Sequence, residues 1–170
     1  KILLFFLFLG FFLKIVYLFG SPIWRVDLFF CIQGAQTIAN GDVLYKHFGE
    51  IKSPGIFFLY YTILKIFGQS LFLVGIKITA MVFQTLTAWF FYKVGKQLFS
   101  EKIGFFLGSL FLVLISVNFH FWPANIMLLF LFPLAISLFF LCRSPLTSKF
   151  EYFLSAFFLG IAFLLSTNVF

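Results

Sequence analysis

Asp27 stands between Val26 and Leu28, a carboxylate among apolar neighbours. A group in that setting loses hydration, its pKa tends to rise, and it becomes a usable general base. The same aspartate introduces an amphipathic run, where it is also a favoured helix N-cap. Both readings stand, and they are compatible. Lys52 precedes Ser53-Pro54, the point at which an apolar pattern resumes. Its ammonium suits a lipid phosphate, for which lysine acts as a compact point charge. Snorkelling to an interface is the plainer reading of the same lysine. Lys77, near the start of a later apolar stretch, and Arg25, close before Asp27, are further candidates for that phosphate. Asp42, Tyr45 and Glu50 lie in the same polar segment as Asp27 and are candidates for acceptor or loop contacts. His47 has Asp42 and Glu50 as possible partners, and a solvated loop explains it equally well. His120 has no second ligand at metal spacing. Cys31 and Cys142 are too few and too far apart for a disulfide framework or a zinc knuckle, and both are read as inert. No phosphate-binding glycine loop, dinucleotide fingerprint, zinc-protease helix or nucleophile elbow is present, so neither metal nor cofactor is expected.

The elements that must position these groups are helices in a membrane. Of 170 residues, 63% are hydrophobic and 10% charged, and the mean hydropathy is +1.13. Soluble domains run near half apolar and about a quarter charged. At roughly 20 residues per span, there is material for about five transmembrane helices and one sizeable non-spanning segment. The expected fold is therefore an all-α polytopic membrane protein. Phe supplies 32 residues, which lipid-facing packing and a base-composition bias of the gene explain equally well. The net charge of +7 comes from scattered cations, which fit loop ends and interfaces better than a nucleic-acid stripe. The chain opens on Lys1 and stops at Phe170 within an apolar run, so it is read as the N-terminal part of a longer polypeptide, a single transmembrane domain over 1–170.

Spans are expected at about 2–19, 71–98, 103–119, 124–141 and 150–166. The first contains Lys14, which is expected to snorkel toward an interface. A signal peptide is its rival, but no A-x-A-like cleavage site precedes the next apolar run. Residues 20–53 hold three of the five acids, Asp27, Asp42 and Glu50. Gly20-Ser21-Pro22 is a helix stop. From Asp27 to Ala39, Leu28, Cys31, Ile32, Ala35 and Ile38 share one helical face, and Asn40-Gly41-Asp42 reads as a turn. Such a segment is too long for a simple connection and too polar to span, so it predicts a structured loop at the membrane surface. Residues 55–67 predict a short interfacial helix broken at Gly68-Gln69-Ser70. Ser100-Glu101-Lys102 is expected as a tight turn, and Trp122-Pro123 as a belt residue and a helix start. Lys93, Lys96, Lys102, Arg143 and Lys149 then fall on one side, which the positive-inside bias makes cytoplasmic. Residues 20–53 fall on the outer or periplasmic side of a plasma (inner) membrane.

The order of these features resembles a known family. It comprises a first span, an Asp at its outer end, an amphipathic helix running to Gly41-Asp42-Val43-Leu44-Tyr45, and Lys52-Ser53-Pro54. A short helix closing in Phe67-Gly68-Gln69-Ser70 follows, then a long span ending Tyr92-Lys93-Val94-Gly95-Lys96-Gln97-Leu98-Phe99. This resembles the GT-C membrane glycosyltransferases of the protein O-mannosyltransferase and aminoarabinose lipid A transferase type (glycosyltransferase family 39-like). The resemblance covers essentially the whole chain and implies a GT-C-like transmembrane helix bundle with an amphipathic outer loop. It implies transfer of a sugar from a polyprenyl-phosphate donor to a lipid, glycan or protein acceptor on the outer or lumenal face, with no cofactor and no nucleic acid. By that match Asp27 is the base or positions the acceptor hydroxyl, and Lys52 contacts the donor phosphate. Relatives often carry two adjacent acids after the first span, whereas Leu28 follows Asp27 here. They often have an acid after the third span, where this chain has Phe121-Trp122-Pro123-Ala124-Asn125. Near the end of the fifth span Ser166-Thr167-Asn168 stands where relatives often show Thr-Lys.

Two non-enzymatic readings compete. A polytopic transporter or flippase subunit predicts ionisable groups inside the bundle, for which Lys14 and Lys77 are the candidates. An assembly subunit predicts small-residue packing faces, of which Gly104-Phe105-Phe106-Leu107-Gly108 is an instance.

Overall fold

The computed structural model describes residues 2–20, 26–46, 53–117, 129–143 and 149–166. These form six helices: α1 (Ile2–Gly20), α2 (Val26–Ala39), α3 (Pro54–Leu98), α4 (Glu101–Val117), α5 (Leu131–Leu141) and α6 (Lys149–Leu165). No strand occurs among the described residues. The chain is all-helical, as expected, and α1, α2, α4 and α6 fall within two residues of their expected bounds.

The 45-residue α3 is the spine. Pro54 sits in its first turn, where a missing N–H is harmless. Ser53 before it is extended, at φ −58° and ψ 140°, as the residue preceding proline must be. The two helices expected at 55–67 and 71–98 are both present within α3, over 54–67 and 69–98, and the first folds back on the second: Tyr60 and Phe72 stand 6.5 Å apart between ring centroids, and Gly75 abuts Phe67 and Ile63. Gly68 alone leaves helical geometry, at φ 70° and ψ 171°, a conformation open mainly to glycine. Gln69 and Ser70 remain helical, so the expected break is present and is made by Gly68 alone. By length and composition α3 is also the one helix among the described residues that is able to cross a membrane; Leu4–Ile15, Leu28–Ala39 and Leu131–Leu141 are shorter apolar stretches.

The other expected boundaries differ in two places. The fourth span was expected over 124–141, but α5 starts at Leu131, after a turn at Leu129 and Phe130; residues 124–128 lie outside the described residues. Pro133 explains the late start, because proline tolerates the first helical turn and breaks an interior one. Glu101 and Lys102 belong to the first turn of α4 rather than to a turn. The connection is Phe99-Ser100, where the Ile103 N–H donates to Ser100 Oγ at 3.3 Å as an N-cap bond.

Close contacts fix the helix directions. At one end, Ser53 Oγ donates to the Leu164 carbonyl at 2.6 Å, and Gly55 abuts the same carbonyl. The start of α3 is thus bound to the end of α6. At the other end α3 and α4 form an antiparallel hairpin. A Cβ on Gly95 would lie 2.7 Å from the Gly104 Cα, and one on Gly108 would lie 2.7 Å from the Ala88 carbonyl. The Gly104-x-x-x-Gly108 pattern is therefore a packing face within this chain. α1 runs antiparallel to α3, with Phe6 beside Tyr92 at 6.0 Å between ring centroids and Gly10 against Thr85. α5 runs parallel to α3, because Phe132 meets Phe83 at 4.9 Å and Phe139 meets Phe90 at 5.6 Å. α6 returns antiparallel to α5 through Ser137 and Ser155, whose hydroxyls are 3.1 Å apart.

Two apolar clusters result. Leu28, Cys31 and Ala35 of α2 bury against Ile56, Phe57, Tyr60 and Ile63 of α3. Phe6, Ala88, Tyr92 and Leu112 join α1, α3 and α4. The Tyr60 ring is fully buried, and its hydroxyl has no hydrogen-bond partner among the described residues.

Two outcomes follow for thermal unfolding in detergent. A side chain at Gly104 collides with the Tyr92 carbonyl and the Lys96 nitrogen, backbone atoms that cannot rotate away. Gly104→Leu should cost about 2–3 kcal/mol, whereas Gly160→Ala, with nothing within 4 Å, should cost nothing; equal behaviour contradicts the α3–α4 packing. Tyr60→Phe removes an unpaired buried hydroxyl and should leave stability unchanged or raise it by about 1 kcal/mol, whereas a comparable loss would mean the hydroxyl has a partner beyond the described residues.

Candidate functional site

Of the candidate residues, Asp27, Asp42, Tyr45 and Lys77 lie within the described residues. Gly20 ends α1, as its Gly-Ser-Pro sequence dictates. α2 then lies on the first segment of α3. Its expected apolar face is the one buried: Leu28, Cys31 and Ala35 are wholly inside, and Ile32 and Ile38 pack against the same cluster. Gly34 sits directly over the Phe57 ring, so this face of α2 comes close to α3 where the glycine lacks a side chain.

Asp27 is the second residue of α2. It is therefore not the N-cap; it occupies the first turn, where the helix dipole favours a carboxylate. The reason is local, since Val26 already has helical geometry and moves the cap position upstream. The positions expected to hold a donor phosphate divide differently. Arg25 and Lys52 lie outside the described residues, as does Glu50 among the acceptor candidates. Lys77 is half-buried on α3, beyond the Gly68 kink and next to Ile76 of the α2–α3 core.

Asp42 and Tyr45 are placed by the C-terminus of α2. The Gly41 N–H donates to the Ile38 carbonyl at 3.1 Å, and the Asp42 N–H donates to the Thr37 carbonyl at 3.1 Å. With Gly41 at φ 82° this is a Schellman closure, which needs a left-handed residue after the helix. It turns the chain sharply and leaves Asp42 exposed. A second turn follows, closed by the Lys46 N–H donating to the Val43 carbonyl at 3.2 Å. Tyr45 occupies its third position at φ 68°, where glycine is the ordinary choice. A bulky residue there carries backbone strain. The Tyr45 ring stands edge-on to Phe57 at 6.1 Å, with the residue 46% exposed. Partial desolvation pushes the Tyr45 phenol above its ordinary value, so at neutral pH it stays protonated and able to donate. The structure thus brings Gly34 of α2 and Tyr45 together over Phe57, with Asp42 exposed in the turn between them.

One group behaves differently from its expected role. Lys14 does not snorkel. It is 1% exposed, and its ammonium donates to Gln84 Oε1 on α3. The antiparallel register that sets Gly10 against Thr85 carries Lys14 into the α1–α3 seam, where a lysine finds an amide in place of water. Thr85 and Thr87 are buried on the same stretch of α3, and their hydroxyls donate to the Met81 and Phe83 carbonyls. Gln84 is the residue that sequence reasoning passed over. Its signal was a single amide in the middle of an apolar run, the type of residue that needs a partner inside a bundle. Beside this seam runs an open groove of about 290 Å³ lined by Leu7, Phe11, Met81, Val82 and Thr85. No group of three His, Cys, Asp or Glu side chains close enough to hold a metal occurs among the described residues.

No protein-family model, curated protein or solved structure matches this chain.

Proposed function

We propose that the chain is a polytopic membrane glycosyltransferase module of GT-C type. In this reading it transfers a sugar from a polyprenyl-phosphate donor to an acceptor hydroxyl at the outer face of the plasma membrane. The observation that carries the reading is the packing of α2. An ordinary connection between spans has no reason to bury Leu28, Cys31 and Ala35 against Ile56, Phe57 and Tyr60. A site at the membrane surface does, because acceptor-binding groups must be held on a rigid element. The membrane setting is supported by what faces outward: Phe8 (72% exposed), Phe106 (62%) and Phe153 (62%) on three different helices. Soluble monomers rarely expose so much contiguous apolar surface. The alternation of helix directions, α1 against α3, α3 against α4 and α5 against α6, is the one that successive spans require.

The chemistry needs an activated hydroxyl at the anomeric carbon and positive charge on the departing lipid phosphate. Asp27 supplies the base or orients the acceptor. Lys52, with Arg25 and Lys77, supplies the charge. Asp42, Tyr45 and Glu50 contact the acceptor or shape the loop.

The buried Lys14–Gln84 pair favours a second reading, a transporter or flippase subunit, because ionisable groups inside a membrane bundle often mark a transport path. Sugar transfer from polyprenyl-phosphate donors by the complete protein in nanodiscs separates the two. Asp27→Asn should lose about a hundredfold or more in turnover, the usual scale for a general base; equal turnover contradicts the assigned role of Asp27. Lys14→Met keeps the side-chain volume and removes the charge. It should leave sugar transfer within about twofold, because Lys14 and Gln84 lie in the α1–α3 seam and take no part in the assigned chemistry. Abolished flux of a lipid or ion in proteoliposomes, with no sugar transfer by the parent protein, would decide for transport.

A further inference from the structure

The end of the bundle opposite α2 carries an arrangement that sugar transfer does not use. Phe83 and Phe90 of α3 meet Phe132 and Phe139 of α5 at equal spacing, so Leu141 comes level with Tyr92. Lys93 and Arg143 therefore lie at one height, with Lys96, Lys102 and Lys149 within about two helical turns of it. Among the described residues two carboxylates share this end, and both are engaged. Glu101 accepts from Lys96 Nζ at 3.2 Å and from the Tyr92 hydroxyl at 3.1 Å. Glu151 accepts from Arg143 at 3.1 Å and is almost covered. Five cations against two acids leave three in excess. Lys93 lies 5.2 Å from the Trp89 ring centroid, and Lys102 and Lys149 are exposed. Next to them Phe99 (68% exposed) and Phe150 (64%) face outward.

We propose that this end of the bundle docks the phosphate headgroups of anionic phospholipids, with Lys93, Lys102 and Lys149 as their cationic partners. The geometry meets both demands of such a surface. The ammonium groups stand at headgroup height, and the aromatic side chains beside them have acyl chain to enter. The consumption of both acids by Lys96 and Arg143 is what leaves the field positive. A neutral headgroup gains nothing from that field, and a free phosphate ion gains nothing from the aromatic rim. The inference rests on the membrane reading of the chain and not on sugar transfer.

The test is the unfolding midpoint of the full chain in neutral detergent, with phosphatidylglycerol, phosphatidylcholine or inorganic phosphate added in turn. Phosphatidylglycerol should raise the midpoint by about 3–6 °C beyond phosphatidylcholine. Half-molar salt should remove most of that difference, and inorganic phosphate should produce none. Lys93→Gln/Lys102→Gln/Lys149→Gln should lose at least half of the difference, while Lys46→Gln/Lys65→Gln should keep it. Glu101→Gln adds one unit of positive charge to the same end and should enlarge it, which covers the case in which the triple variant does not fold. Equal shifts with the two lipids, or a full shift in the triple variant together with no gain in Glu101→Gln, would overturn the proposal. Resistance to alkaline carbonate extraction reports membrane integration separately, so loss of the headgroup preference leaves that reading standing.

Discussion

Along α3 the backbone or its first side-chain atoms are approached closely by α1, α2, α4 and α6, and at each approach a glycine makes the room. Gly10 admits Thr85, Gly34 admits Phe57, Gly55 admits the Leu164 carbonyl, and Gly95 with Gly104 and Gly108 seats α4. In the proposed membrane setting there is no water to drive apolar faces together, so helices are held by dispersion at short range and by polar contacts between them. The two segments of α3, with Gly55 on the first and Gly95 on the second, are suited to that kind of assembly. The helix directions follow from it, and so does the separation of the molecule into an α2 end and an opposite end rich in lysine.

The same constraint explains why the polar groups sit where they do. Ser53, Ser137 and Ser155 are buried at helix contacts and satisfied by a carbonyl or by each other. Lys14 is covered because the α1–α3 register leaves it no route to solvent, and Gln84 is the group that meets it. Many large apolar side chains, Phe8, Phe106 and Phe153 among them, are exposed on the helices. α2 is set apart from this scheme: it is short, it lies on the first segment of α3, and the two turns after it lift Asp42 and Tyr45 into the open. That arrangement holds a fixed set of polar groups beside α2.

What was legible in the sequence was local. The face of α2 could be read because its apolar residues recur with the helical period, and each of the five buries or packs as that period requires. The stops at Gly20 and Gly41 were legible because glycine after a helix has a single strong meaning. The unread parts depend on distant partners or on competition between neighbouring signals. The break at Gly68-Gln69-Ser70 is present, but its length was not legible: one glycine absorbs the whole change and Gln69 and Ser70 stay helical. Pro133 cuts α5 short, although the surrounding leucines and phenylalanines are as apolar as those of a full span. Lys14 pairs with a residue far along the chain, which no local pattern announces. For the candidate site, the sequence located Asp42 and Tyr45 at the close of α2 but missed the strained Tyr45 backbone, because a positive φ at tyrosine has no sequence signature.

In the proposed reading the two ends of the bundle face opposite sides of a membrane. Labelling of single cysteines with a membrane-impermeant thiol reagent in intact cells tests this directly, in a background where Cys142, the partly exposed native thiol, is changed to serine. Asp42→Cys should be labelled from outside, and Lys102→Cys only after the membrane is opened. Labelling of both from the same side would contradict the arrangement and remove the basis for a site on the outer face.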